Sequence, residues 1–432
     1  MRIHSVLFIL LIAASARAQS SKKLLRYAHN IIDTLSSENF AGRGYNGNGI
    51  DKAADFIADK FDKYGLKKIG ISYYQNFTMP VNMLLSAQLK LNDSTLSYGK
   101  DFIVSPNSFN AVYQHKEISY FHPEEMGKAF ASKENIYNFF KDDLQSQKGK
   151  HVVFPPYHFK EDSLNQYYKQ WPFFYPPEDN SDRAIFYFTN DSLPSSISTF
   201  QDSIAEFIIR GKYYNDSLKI NNYSIETKFV PAFPVHNIIG EIEGKNKDSL
   251  VVISAHYDHL GKVGNAYFPG ANDNASGVAF LLSMAKYYSR HKPKNTLIFL
   301  AFTGEEASLV GSGYFVNHPL INLNKIKMEL NFDMIGTGDD GIQIVNSTIY
   351  TKAYDLICAI NNKKHYVKQI LPRGEAANSD HYSFYAKGIP SVYTYTLGGV
   401  KFYHDIWDRS ETLPLTKFAD IQKLFIKFIN KL

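Results

Sequence analysis

The chain divides by the period of its apolar residues. From Val235 onward, short apolar runs rich in β-branched residues alternate with stretches whose apolar residues recur every three to four positions. The runs predict strands at Asn237–Glu243, Leu250–Ala255, Thr296–Phe302, Lys327–Phe332, Ile342–Val345 and Ile389–Tyr395. The spaced stretches predict helices at Ser276–Arg290, Ser308–Asn317, Tyr350–Asn362, Asp380–Ala386 and Leu415–Asn430. Such alternation predicts an α/β sheet covered by helices on both faces.

Ahead of this region, Lys22–Leu35 has Leu24, Leu25, Ile31, Ile32 and Leu35 on one helical face. Ile50–Tyr64 repeats the helical spacing and stops at Gly65, a residue suited to a C-terminal cap; Ser72–Met79 reads as a strand. Between the helices, Phe40–Gly47 contains G-x-G-x-x-G, but no strand precedes it. The dinucleotide reading therefore fails, and a flexible loop is expected.

From about Asn82 to Thr227 the pattern changes. Short β-type runs (Met83–Leu91, Lys150–Phe154, Ala184–Phe188) are separated by polar, Pro- and Tyr-rich segments such as Trp171–Pro177. Helices are expected at Ser132–Asp142 and Ser198–Ile209. No acid–histidine constellation occurs here, so residues 82–227 read as an inserted, mostly β module between the two parts of a main domain, 19–81 and 228–432.

Composition adds limits. At 432 residues the chain exceeds one ordinary core. Residues 1–18 carry a basic start (Arg2), an apolar run (Val6–Ala14) and Ala16-Arg17-Ala18, the pattern of a secretory signal peptide. The run is shorter than the ~20 residues of a membrane span, so no stable membrane insertion is expected once the signal is removed. The expected address is periplasmic or extracellular, and no Cys follows the cleavage site to carry a lipid. Losing Arg2 and Arg17 leaves 45 basic residues against 42 acidic, a net charge of +3. Neither that balance nor any basic aromatic cluster points to nucleic acid. The lone Cys358 rules out an intramolecular disulfide and a multi-cysteine zinc site; it reads as a small core residue.

The chemistry collects at strand ends. Val251–Ala255 runs into His256-Tyr257-Asp258, a turn rich in small residues carries Asp273, Thr296–Phe302 leads to Glu305-Glu306, and Met328–Phe332 leads to Asp333. His404 follows in a polar loop near the end. Open α/β sheets place their sites at such ends. A two-zinc hydrolase needs one bridging carboxylate, two further ligands for each ion and one carboxylate left over as a base. With Asp258 set aside as a hydrogen-bond partner for a ligand histidine, the remaining six residues match that requirement. Glu305 and Glu306, as neighbours in an extended segment, point to different sides, one toward metal and one toward water. His259 and His381 are expected near the cleft and His365 at the surface.

The series HYDHLG, GANDNASGVA, FTGEEASLVGSGYF, NFDMIG and YHDIWD resembles the zinc aminopeptidase family of co-catalytic metallopeptidases. Its relatives include secreted bacterial leucine aminopeptidases, glutaminyl cyclases and the transferrin receptor ectodomain. The resemblance runs from Asn237 to the C-terminus, with Leu35–Gly65 similar to the family's N-terminal helix entry. It implies a mixed, largely parallel sheet of the zinc-exopeptidase type, with a protease-associated-like module in the insertion. It also implies two zinc ions per chain: His256 and Asp333 on one, Glu306 and His404 on the other, and Asp273 bridging. Glu305 is then the general base acting on zinc-activated water, Asp258 orients His256, and Tyr403 polarises the scissile carbonyl. Ser379-Asp380-His381 resembles a pocket-lining segment, and a cis peptide is implied at Asp273–Asn274. The function implied is a secreted exopeptidase removing N-terminal residues from peptides. Alternatives are a glutaminyl-cyclase-like transferase with one zinc and a non-catalytic binding protein; metal stoichiometry and a Glu305→Ala assay separate them. Oligomeric state is not expressed in the sequence.

Overall fold

The computed structural model describes residues 19, 21–123, 149–160, 165 and 183–432. The expected signal segment, the Ser132–Asp142 helix and Trp171–Pro177 lie outside the described residues. Among the described residues, no helix is long and apolar enough to cross a membrane.

The main sheet has eleven strands among the described residues. Its centre is four parallel strands: Asn295–Phe302, Asn246–His256, Ile326–Phe332 and Ser391–Leu397, in that spatial order. Both faces of these strands are covered, which explains their nearly unbroken apolar sequence. Val251, Ile253 and Ala255 pack into one core with Leu297, Phe299 and Leu330. Leu250 and Val252 pack into the opposite core with Ile298, Leu300 and Phe302. The first core is closed by a helix over residues 21–35 and by Gly49–Tyr64, Gly277–Tyr288, Thr351–Lys364 and Phe418–Ile429. The second lies under Val310–Asn317 and His381–Tyr385, through Phe315 and Phe384. Each fully buried Leu or Phe contributes roughly 1.5–3 kcal/mol over the exposed state. The α/β fold with helices on both faces is therefore the one the pattern predicts.

Beyond the Asn295–Phe302 strand, two long antiparallel strands, Tyr74–Leu91 and Ile220–Ile242, leave the main sheet and reach outward. Their outer ends pack Leu89, Leu91, Ile220, Tyr223 and Ile225 against a second sheet of five strands: Phe102–Val104, Ala205–Arg210, Ala184–Thr189, His151–Phe154 and Ile118–Tyr120. The runs at Ser72–Met79 and Met83–Leu91 form one strand, with register shifts in its pairing near Val81 and Leu84.

Three expectations fail. The helix expected at Ser198–Ile209 is absent: Ala205, Phe207 and Ile209 alternate into the apolar core as a strand, so a period of two wins. The loop expected to be flexible at Phe40–Gly47 holds a short helix, Glu38–Arg43, and Arg43 is fully buried. Its glycines permit close approach: a Cβ on Gly42, at φ +65°, would sit 2.4 Å from the Gly261 carbonyl oxygen. Cys358 is only partly buried, on the Thr351–Lys364 helix, instead of in the core.

Candidate metal centre

The parallel strands bring their acid-bearing ends to one edge of the sheet. His256 ends its strand opposite Phe302, and Glu305 and Glu306 follow three and four residues after Phe302. Asp333 directly follows Ile326–Phe332, and His404 lies in the loop after Ser391–Leu397. Asp273 comes from the loop before the Gly277–Tyr288 helix, and its peptide bond to Asn274 is cis.

These side chains converge. Asp273 faces two imidazoles at once: Oδ1 lies 3.3 Å from His256 Nε2, and Oδ2 lies 3.1 Å from His404 Nε2. His256 Nε2 is also 3.5 Å from Asp333 Oδ2 and 3.9 Å from Glu305 Oε2. His404 Nε2 is 2.9 Å from Glu306 Oε2. His259, fully buried, holds the other oxygen of Glu306 through Nδ1 at 2.6 Å. Tyr403 stacks on His404 with ring centroids 3.8 Å apart and is half exposed at the mouth. His365 is exposed, whereas His381 is buried on the Phe384 side of the sheet.

Asp258 differs from its expected role in one respect. His256 Nδ1 is 3.2 Å from the Asp258 main-chain oxygen but 3.7 Å from its carboxylate, too long for a hydrogen bond. The carboxylate instead accepts the Tyr45 hydroxyl at 2.8 Å and the N–H groups of Glu305 and Glu306 at 3.3 Å each. Asp258 thus ties the turn carrying both glutamates to the strand carrying His256.

The other segments are joined in the same way. Asn272 Oδ1 accepts Gly336 N–H, Asn274 Oδ1 accepts Met334 N–H, and Ser276 Oγ accepts Ile335 N–H, fastening the Asp273 loop to the Asp333 turn. The Asp408 carboxylate, from the His404 loop, accepts Asn272 N–H at 2.8 Å and Asp273 N–H at 2.9 Å. Ser379 donates to Asp333 Oδ2 at 3.0 Å. Arg43 donates to the main-chain oxygens of Leu35, Tyr257, Pro269, Gly270 and Asp273. Sequence reasoning missed Arg43, Tyr45, Asp408 and the bonds made by His259. An arginine between two glycines in a segment with no regular period was the one available signal, and it does not name a partner.

Electrostatics agree with a centre built for cations. Burial disfavours the charged form of every member, but neighbours decide the outcome. Opposing burial, Glu305 and Asp333 hold the His256 imidazolium well above its usual value, and Glu306 and Asp273 do the same for His404. His256 and His404 overcome burial to pull Asp273 well below the usual carboxylate range, and Glu306 falls to about 2 chiefly through His404. Glu305 goes the other way: burial, reinforced by Glu306, Asp333 and Asp380, pushes it well up against the pull of His256.

Nitrogen and carboxylate oxygen donors suit zinc and similar divalent ions. Ligand atoms of His256, Asp273 and Glu306 lie within 4.8 Å of one another, as do those of His256, Glu305 and Asp333. Asp333 Oδ1 is buried without a hydrogen-bond partner, the kind of orphaned acceptor a cation satisfies. The residues fit the group.

Fold and site together define an α/β protein with a buried carboxylate–imidazole centre at its sheet edge. Residues 237–429 match the model of peptidase family M28. Over 110 residues it is 36% identical to a probable leucine aminopeptidase 2 of Aspergillus oryzae, covering 25% of this chain and 21% of that protein. Over 244 residues it is 28% identical to a vacuolar membrane protease of Saccharomyces cerevisiae, covering 55% and 22%. The match therefore spans about a fifth of the length of these relatives. A zinc aminopeptidase from Bacillus subtilis has a similar structure, with a TM-score of 0.66, 19% identity and 94% of each chain covered. A peptidase M28 precursor from Shewanella amazonensis gives a TM-score of 0.69 at 16% identity, with 95% of each chain covered. At these identities the likeness establishes the shared fold.

Proposed function

We propose that the chain is an exported aminopeptidase with two zinc ions, removing N-terminal residues from peptides. The observation that carries this reading is Asp273, whose two oxygens each face a different imidazole, the arrangement a bridging carboxylate requires. His256 and Asp333 would hold one ion, Glu306 and His404 the other. Bound there, zinc supplies Lewis acidity to the attacking water and to the scissile carbonyl.

The remaining steps belong to the chain. Glu305, not needed as a ligand, takes a proton from the attacking water and delivers it to the leaving amine. Asp258 fixes Glu305 by accepting its N–H. Tyr403, at the mouth, offers its hydroxyl to the carbonyl oxygen as negative charge develops. Residues 19–81 and 228–432 form the catalytic unit in this reading, and residues 82–227 a module that shapes access.

Hydrolysis of aminoacyl-anilides and of free and N-blocked peptides, with and without chelator, tests the proposal. Chelator-sensitive release from free but not blocked N-termini is expected. Cleavage of blocked peptides at equal rates, or activity untouched by chelator, would overturn it. The glutaminyl-cyclase-like alternative needs one ion, and the two imidazoles about Asp273 favour two.

A further inference from the structure

We propose that the inserted segment is part of the metal centre, with Ser195 acting as the positioning residue for His404. The inference rests on the reading of His404 as a zinc ligand.

Ser195 and His404 stand 209 positions apart and clasp each other twice. Ser195 N–H donates to the His404 main-chain oxygen at 2.9 Å, and His404 Nδ1 lies 3.0 Å from the Ser195 main-chain oxygen. In the neutral ring that would bind zinc, the second contact selects the tautomer. With Nδ1–H donating to a carbonyl, Nε2 is left as the free nitrogen, and Nε2 is the atom aimed at Asp273 and Glu306. The first contact restrains the main chain at His404, which sits at φ 53°, in the left-handed region uncommon for residues other than glycine. His256 obtains the equivalent bond from Asp258, two residues away in its own segment; His404 obtains it from the insertion.

The loop carrying Ser195 is fastened three residues further on, at Ser198. Asn82 N–H donates to the Ser198 oxygen at 2.9 Å, and buried Asn82 Nδ2 donates to the oxygens of Pro106 and Ser108 at 2.8 Å each. Gln201 Nε2 returns a bond to Asn82 Oδ1 at 3.0 Å. Ser108 Oγ in turn accepts Glu206 N–H from the second sheet at 3.2 Å, so a displacement of that sheet pulls on the ligand. Zinc at the His404 side and the seating of the insertion become linked, each strengthening the other.

Zinc titration of chelator-stripped wild type, His404→Ala and Ser195→Pro tests this. Wild type is expected to take two ions and His404→Ala to lose one. Ser195→Pro, which lacks the N–H and restricts the loop, is expected to lose the same ion's affinity by about 10–100-fold. The ion at His256 and Asp333 should remain, which separates a lost clamp from general unfolding. Ser195→Pro binding both ions as wild type does would overturn the clamp and leave the zinc reading intact. Wild type taking fewer than two ions would overturn the reading beneath it. Hydrogen exchange on the unmutated protein supplies an arm independent of any variant's folding. Chelation should speed exchange at residues 193–198 and leave Ala184–Thr189 unchanged, and equal exchange with and without zinc in 193–198 would refute the linkage.

Discussion

Arg43→Lys is the sharpest test of how the loop carrying Asp273 is held. The guanidinium is fully buried and gives hydrogen bonds of 2.7–3.1 Å to five main-chain oxygens. Burial lowers its pKa to about 10, opposed by Asp273, Asp408, Asp258 and Glu306, so it stays charged at neutral pH. A lysine keeps the charge but has three donors at one point instead of five on a rigid fork. At least two oxygens then lose their partner in a buried setting, at about 1–3 kcal/mol each. The expected loss is therefore about 2–6 kcal/mol, read as a lower urea midpoint with an unchanged slope. Two of the five oxygens, those of Gly270 and Asp273, lie in the loop with the proposed bridging carboxylate. The stabilisation gained on adding zinc should shrink as well. An Arg43→Lys protein within ~0.5 kcal/mol of wild type, with the same zinc response, would refute the reasoning, since surface-like substitutions fall in that range.

Other consequences follow from the same contacts. Glu305→Gln should lower kcat by about 10²–10⁴ while zinc content stays at the wild-type value; loss of zinc in parallel with activity would contradict its assignment as base. Asp258→Asn should weaken zinc binding by about 10–100-fold, because the group that accepts Tyr45 and both glutamate N–H groups is altered; titration showing wild-type affinity would exclude that role. Glu206 lies in the second sheet, away from the centre, where burial, helped by Asp202 and opposed by Ser105, raises its carboxyl to about 7. The folded state then holds a proton that the unfolded chain releases near its ordinary value of about 4.5. Stability should fall by about 3 kcal/mol as pH rises from ~4.5 to ~7, and change no further above it. Glu206→Gln should remove that slope, and denaturation midpoints with the wild-type pH dependence would count against it.

The parallel strands were legible because both faces are buried: Leu250–Ala255 is apolar except for Ser254 and Leu297–Phe302 is apolar throughout, so a charged residue or histidine at their ends stands out. The ligands were legible for the same reason, since His256, Glu305, Glu306 and Asp333 interrupt or follow such runs. Ser198–Ile209 misled because its apolar positions match a helix over a few residues, and only the pairing of Ala205–Arg210 with Ala184–Thr189 settles the period. Arg43 looked like loop because its partners are carbonyl oxygens, which leave no trace in a sequence. The Ser195–His404 clasp was illegible for a related reason: Ser195 takes part only through its main-chain groups, so the contact leaves no mark in the identity of that residue or in local spacing.

The central claim is a pair of cations flanking Asp273, and anomalous scattering at the zinc edge from crystals of the zinc-loaded protein measures it directly. Two peaks are expected, one at His256 Nε2 and Asp333, the other at His404 Nε2 and Glu306, with an Asp273 oxygen on each. A single peak, or peaks away from these imidazoles, would contradict the account.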